Sequence, residues 1–256
     1  MNVGNIFDLI NSVAPFDTQM EGDNSGLLVG SPAQDVRNIL FALDVTEPVI
    51  DEAVSLNAQL IVTHHPILFS AIRSLTDETY EGRLIRRMVR ENISLIAAHT
   101  NLDQAPGGIN DTLAALCGIT GISGEGFFRS GFLPEPLPVH SFADFLQQNL
   151  GTVIRVMGPE DRIIRHVGLC SGSGSSEWIH AAETGCDAFI SGEIKHHHAL
   201  EMADAGITAF ECGHFFTEEP GIAALAEALQ NSFSHVECNV RVYVSAVNAY
   251  SFPRIP

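Results

Sequence analysis

Seven of the chain's eleven histidines fall in only four places: His64 and His65, His99, the run His196, His197 and His198, and His214. Each place lies at or just past the end of a short apolar segment. The first, LIVTHHP, sets two imidazoles side by side before a proline. Two of the places carry a second mark. Asp103 follows His99 by four residues, and Glu218 follows His214 by four. On a helical turn that spacing lets both side chains face one way. Neutral imidazole with carboxylate is a ligand set for zinc, manganese or iron. The donors suffice for two ions, and one carboxylate can bridge ions at the roughly 3.5–4 Å separation of two-metal hydrolases. Pro66 forces the residue before it into an extended form, and the strand's alternation of faces can break there. His64 and His65 could then reach different ions. Each group also has a plain role: His99 or His214 as a hydrogen-bonded turn residue, Asp103 stabilising a turn, Glu218 opening a helix favourably, the triple histidine as a solvated loop.

Elements must carry these residues to one place. Residues 5–14 have helical spacing, with Ile6, Leu9, Ile10 and Val13 on one face. DNSGLLVG (23–30) reads as a turn into a short strand, and NILFALDV (38–45) as a strand. PVIDEAVSLNA (48–58) reads as a helix opening on Pro48. QLIVTHH (59–65) is a strand, LIRRMVRE (84–91) a helix, and ISLIAAHTNLD (93–103) a strand running into polar residues. Alternation of strand and helix implies a parallel sheet with covered faces, and ligands bind beyond the carboxyl ends of such strands. The pattern then returns. HVGLCSG (166–172) is a strand, SEWIHAAETG (176–185) a helix, CDAFISGE (186–193) a strand, HHALEMADAG (197–206) a helix and ITAFECGH (207–214) a strand. LIVTHH and AFISGE hold like positions, as do LIAAHTNLD and AFECGHFFTE, which reads as a diverged internal duplication. The expected fold is α/β, with two similar lobes over 1–125 and 126–256, each a mostly parallel sheet flanked by helices. Glycine- and proline-rich GEGFFRSGFLPEPLPV joins the lobes, ahead of a helix in SFADFLQQNLG. The tail is a helix, GIAALAEALQ, then strand-like VRVYVSAV.

Composition narrows the function. Hydrophobic residues at 45% against charged ones at 17% suit a folded core rather than a disordered chain. A formal charge of −18 repels phosphate backbones, and no basic run appears. No strong nucleic-acid binding is expected. The five cysteines, Cys117, Cys170, Cys186, Cys212 and Cys238, are odd in number, make no C-x-x-C and do not recur in the histidine clusters. They read as reduced thiols, mostly in the core. MNVGNIFDLINSVAPF lacks the basic start and continuous apolar stretch of a signal peptide, and no segment approaches about 18 apolar residues. The expectation is a cytoplasmic protein with no membrane partner. GLCSGSGSSEW (168–178) lacks the lysine of a phosphate-binding loop, so its glycines read as tight turns before they read as a phosphate cradle.

THHPILF, HTNLD, SGEIKHHHAL and GHFFTE, in this order, resemble the signature blocks of the NIF-three-like proteins. These are also known as GTP cyclohydrolase 1 type 2 homologues or dinuclear-metal-centre hexameric proteins. DNSGLLVG and CSGSGSS match as well, so the likeness covers nearly the whole chain, in the family's short form. The resemblance implies a dinuclear metal site in the cleft between two α/β lobes. Its ligand positions here are His64, His65, Asp103, His214 and Glu218, with Glu218 as the bridge. His99 and His197 fall on histidines frequent in the family and would lie near the metals, where either could shuttle protons. His196 and His198 stand where other residue types are usual. The implied cofactors are two divalent ions (zinc, manganese, iron or nickel) and the implied assembly is a homohexamer. The expected function is a dinuclear-metal-dependent, cyclohydrolase-like hydrolase acting on a nucleotide or related small molecule. A dinuclear metallophosphoesterase and a non-enzymatic metal-binding adaptor or delivery protein are the alternatives. For the assembly, light scattering at moderate salt is expected to give about six times the 27.6 kDa chain mass; a monomer at every concentration contradicts it.

Overall fold

The computed structural model describes residues 1–233 and 239–248. The chain divides into two compact units. One is Met1–Ala105 with the described residues after Gly221, and the other is Pro106–Gly221.

In the first unit, Asn2 and Asn5 cap each other's backbone to start α1 (Val3–Val13), whose Val3, Ile6 and Ile10 are buried. Strands β1 (Gly26–Val29) and β2 (Asn38–Ala42) follow. Thr46 caps α2 (Glu47–Ser55), so the helix opens one residue before Pro48. Then come β3 (Leu60–Thr63), α3 (Tyr80–Arg90, capped by Thr79), β4 (Ser94–Ala97) and the short α4 (Thr100–Gln104). Four-residue β3 and β4 are buried throughout, as befits strands covered on both faces.

The second unit begins with α5 (Ile109–Leu116), β5 (Thr120–Ser123), β6 (Arg129–Pro138) and α6 (Val139–Leu150). Gly151 ends α6 in the left-handed region at φ +68°. The chain continues through β7 (Arg155–Met157), β8 (Ile163–Cys170), α7 (Trp178–Glu183), β9 (Ala188–Ser191), α8 (His196–Asp204) and β10 (Thr208–Glu211). Helix α9 (His214–Phe233) starts in this unit and leaves it after Gly221; β11 (Arg241–Val244) belongs to the first.

Among the described residues the first sheet has the order β1-β4-β3-β2-β11 and the second β5-β6-β8-β9-β10-β7. β11, β2, β3 and β4 run parallel and β1 antiparallel. In the second sheet β8, β9 and β10 are parallel, while β5, β6 and β7 make antiparallel pairs. That sheet is therefore mixed, where a mostly parallel one was expected. The run β1-β4-β3-β2 and the run β7-β10-β9-β8 share order and direction, so LIVTHH and AFISGE do hold like positions.

The strand pairing also differs from the expected division at residue 125. Thr120–Ser123 pairs within the second sheet, and Arg241–Val244 returns to the first beside β2. The stretch read as a connector supplies β6. Its prolines lack the N–H that a ladder needs, and the β6–β8 register shifts between Phe132 and Leu137, where Pro134 and Pro136 lie.

Each sheet packs its own apolar side chains. Leu40, Ile50, Ile61, Leu84 and Leu95 belong to the first unit's core, and Phe142, Leu146, Val167, Ile190 and Phe210 to the second's. Cys117, Cys170, Cys186 and Cys212 are buried and none is in a disulfide. Burial pushes the Cys117 and Cys212 thiols up and keeps them protonated. Cys238 lies outside the described residues. No helix among the described residues is long and apolar enough to cross a membrane. Phe142 is fully buried and meets Phe210 edge to face, ring centroids 5.2 Å apart. Phe142→Ala is expected to cost about 3–5 kcal/mol of stability, read as a lower midpoint in urea denaturation.

Candidate metal centre

Register brings the chemistry of the first unit together. Ala42 pairs with Thr63, and Thr63 with Ala97. Two residues beyond these three stand Asp44, His65 and His99. At the end of β3 the backbone amides of His64 and His65 both donate to the Leu43 carbonyl (3.2 and 3.1 Å). The Thr63 hydroxyl donates to the His65 carbonyl (2.8 Å). The strand alternation thus stops at Thr63. The two rings do not diverge to opposite faces; their centroids lie 4.9 Å apart. His99 caps α4, and Leu102 and Asp103 donate their amides back to its carbonyl. A ring nitrogen from each of His64, His65 and His99 lies within 4.8 Å of the others. Asp103 Oδ1 lies 3.4 Å from Nε2 of the fully buried His64.

The other ring nitrogens fix the tautomers. His64 Nδ1 is 2.8 Å from the Ala98 carbonyl, which can only accept. His65 Nδ1 is 2.7 Å from Asp44 Oδ1, and His99 Nδ1 is 2.9 Å from Asp23 Oδ1. Burial alone would push the Asp23 carboxyl up. Hydrogen bonds from Thr100, His99 and the Asn24 amide outweigh it and lower the value to about 2, so Asp23 is an ionised acceptor. All three imidazoles thus have an acceptor at Nδ1, the arrangement by which second-shell acceptors orient metal-binding histidines.

The second unit applies the same rule with fewer groups. His214 opens α9; its Nδ1 is 2.8 Å from Glu193 Oε1 and its Nε2 is 3.0 Å from Glu218 Oε2. Glu218 is buried, so its attraction for positive charge at His214 Nε2 or beside it is little screened. The glycine-rich loop makes the room. A Cβ on Gly172, at φ +55°, would sit 2.0 Å from Glu218 Oε1, and one on Gly192 would sit 2.8 Å from His214 Cα. Three of the loop's amides are spent inside the protein: Ser171 donates to Asn110 Oδ1 (2.8 Å), Gly172 to Thr217 Oγ1 (3.1 Å) and Gly174 to the Ser171 carbonyl (3.0 Å). The loop lies against α9 and its glutamate, and these three amides are not open to a phosphate.

The family model described as Duf34/NIF3 (NGG1p interacting factor 3) matches residues 1–250. The chain belongs to this family. Two relatives of this chain, each called a GTP cyclohydrolase 1 type 2 homolog, come from Clostridium perfringens and Clostridium acetobutylicum. The first is 32% identical, over 90% of this chain and 92% of that protein; the second is 30% identical, over 97% of both. Among solved structures, a Staphylococcus aureus protein is 26% identical with a TM-score of 0.94, covering 100% of this chain and 99% of that one. Reduced HcgD from Methanocaldococcus jannaschii is 26% identical with a TM-score of 0.83, covering 96% and 98%.

Of the residues read from the sequence, the first unit gathers His64, His65, His99 and Asp103, and the second pairs His214 with Glu218. His197 stands apart from these sets. It is exposed on α8 with its ring against His198, centroids 4.3 Å apart. His198 Nδ1 lies 3.0 Å from the Ser175 hydroxyl. Sequence reasoning missed the acceptors Asp23, Asp44 and Glu193. The usable signal was an acidic residue just past a strand end (LD after β2, SGE after β9) or just before one (GDNSG before β1).

The tautomers are open to measurement. In metal-depleted protein above the titration range of histidine, nitrogen NMR is expected to show protonated Nδ1 and unprotonated Nε2 at His64, His65 and His99. An Nε2–H form at any of them contradicts the arrangement.

Proposed function

We propose that this Duf34/NIF3 chain is a dinuclear metal-dependent hydrolase of a nucleotide or related small molecule. Its ligands are His64, His65, Asp103, His214 and Glu218, with Glu218 as the bridge, and zinc, manganese, iron and nickel all suit the donors. The observation that carries this reading is the shared orientation of His64, His65, His99 and His214. Each commits Nδ1 to an acceptor, and Nε2 of His64 and of His214 lies beside a carboxylate oxygen. Core histidines kept for packing alone have no reason to repeat one arrangement at Nδ1 four times at three strand ends. The names of the curated relatives, GTP cyclohydrolase 1 type 2 homologs, support the reaction class.

Two divalent ions held by these residues would supply Lewis acidity for activating water. The chain's own residues do the rest. Asp44 and Glu193 hold the imidazoles of His65 and His214 in one tautomer and one plane. The buried carboxylates of Asp103 and Glu218 supply negative charge where water is scarce, so their attraction for a cation is little screened. His99, with Asp23 accepting from its Nδ1, is the carrier for a proton at Nε2. His197 has no carboxylate partner among the described contacts, and His99 is the one of the pair this reading uses.

Metal titration with elemental analysis tests the reading. The intact protein is expected to take up two ions per chain. Glu218→Ala removes a ligand from both and leaves two cations less charge between them, so at least one ion is lost. Glu193→Ala is expected to weaken binding about 10–100-fold through the orientation of His214, and His198→Ala to leave metal content unchanged. Stoichiometry that never exceeds one, or Glu218→Ala with both ions at unchanged affinity, sinks the dinuclear reading.

A further inference from the structure

A cleft of about 320 Å³ opens beside the first unit's histidines, a size that suits one small ring system. His65 forms part of its wall, and Phe69 and Tyr80 supply two aromatic faces. Both are unusually open for their size, Phe69 at 64% exposure and Tyr80 at 49%. The Phe69 ring stands 5.8 Å from that of His99 at 83°, and 6.5 Å from that of His65. A phenylalanine held in water next to imidazoles does not serve a core. The Tyr80 hydroxyl donates to the Val45 carbonyl (3.3 Å), so its proton is spent and the ring is what the cleft meets.

The charged groups of the lining are the carboxylates of Asp44 and Glu81, beside Thr46 and His65, with no lysine or arginine among the lining residues. The Tyr80 phenol records the field. Burial first, then the carboxylates of Asp44, Glu47 and Glu81, push it up against the opposing effect of Arg83. A phosphate seated against Asp44 and Glu81 would meet like charge, with no lysine or arginine in the lining to receive it. A flat ring that offers N–H groups meets aromatic faces and acceptors.

We propose that this cleft binds the ring of the substrate, a planar nitrogen heterocycle that stacks on Phe69 and Tyr80 and donates N–H groups to Asp44 and Glu81, with any anionic group held elsewhere. The assignment rests on the reading of the adjacent histidines as the reactive metal centre, and it names what lies next to that centre.

The probes are guanosine, which carries N–H donors and no phosphate, and caffeine, a planar purine with none. Binding to the metal-loaded full chain is followed by calorimetry, with metal content and mass measured on the same samples. Guanosine is expected to bind at least about tenfold tighter than caffeine. Phe69→Ala and Glu81→Gln, both at exposed positions, are each expected to weaken guanosine about tenfold at unchanged metal content. Inorganic phosphate is expected not to compete. The proposal is overturned if caffeine binds as well as guanosine, if phosphate displaces guanosine, or if neither variant alters binding. It is overturned too if Phe69→Ala changes the assembly mass and leaves guanosine binding intact, since the aromatic wall then serves contact between copies. Should metal uptake fail while both variants still lose guanosine, the subsite stands and the metal reading falls.

Discussion

Parallel pairing of β2, β3 and β4 sets Ala42, Thr63 and Ala97 abreast, so whatever follows each at the same offset arrives in one row. Asp44, His65 and His99 occupy that row, and the hydrogen bond from His65 Nδ1 to Asp44 joins two of them. The rest of the first unit's site depends on this register. A slip by one residue would move each side chain to the other face, replacing Asp44 by an apolar neighbour and leaving the His65 imidazole without its acceptor. Full burial of the strands on both faces makes such a slip costly, which is how apolar residues far from the chemistry come to specify a tautomer.

The second unit runs the same strand arrangement with the roles redistributed. Cys170, Ser191 and Glu211 pair abreast, as Ala42, Thr63 and Ala97 do. At the offset that holds Asp44 and His65 in the first unit, the second holds Gly172 and Glu193. Replacing an aspartate by glycine empties the volume that Glu218 fills, as the 2.0 Å approach of a Cβ at Gly172 shows. Where the first unit has the histidine, the second has a glutamate that accepts from His214. One unit thus offers three imidazoles and a carboxylate, the other an imidazole and a buried carboxylate, on a common framework.

Much of this was legible in the residues. The i, i+4 pairs His99–Asp103 and His214–Glu218 were visible because helical spacing is local, and in both cases the chain does turn helically at the histidine. The strand ends were visible because apolar runs stop there. What escaped is what depends on pairing across long sequence separation. Asp23 lies 76 residues before the His99 it orients, and nothing in GDNSG alone announces that partner. The return of Arg241–Val244 to β2 is invisible for the same reason, since a strand-like run does not say which sheet it joins. β6 was misjudged through its prolines, which weaken a ladder; here the register shift at Phe132–Leu137 absorbs them.

The glycine-rich loop shows why a motif must be settled by where its amides go. GLCSGSGSS has the composition of an anion-binding turn, and a short helix follows it. Yet Ser171, Gly172 and Gly174 direct their N–H groups to Asn110, Thr217 and Ser171. An amide already donating to a good acceptor gains little from a phosphate and must break its own bond to take one. Glycine is used here for closeness instead: without a Cβ the loop can lie against the first turn of α9 and hold Glu218 in a buried position. The same reasoning turns a chain of −18 charge from a curiosity into a constraint. A buried carboxylate is held where an imidazole stands beside it, as Glu218 is by His214 at 3.0 Å and Asp103 by His64 at 3.4 Å, and an acidic surface attracts cations and repels anions at long range.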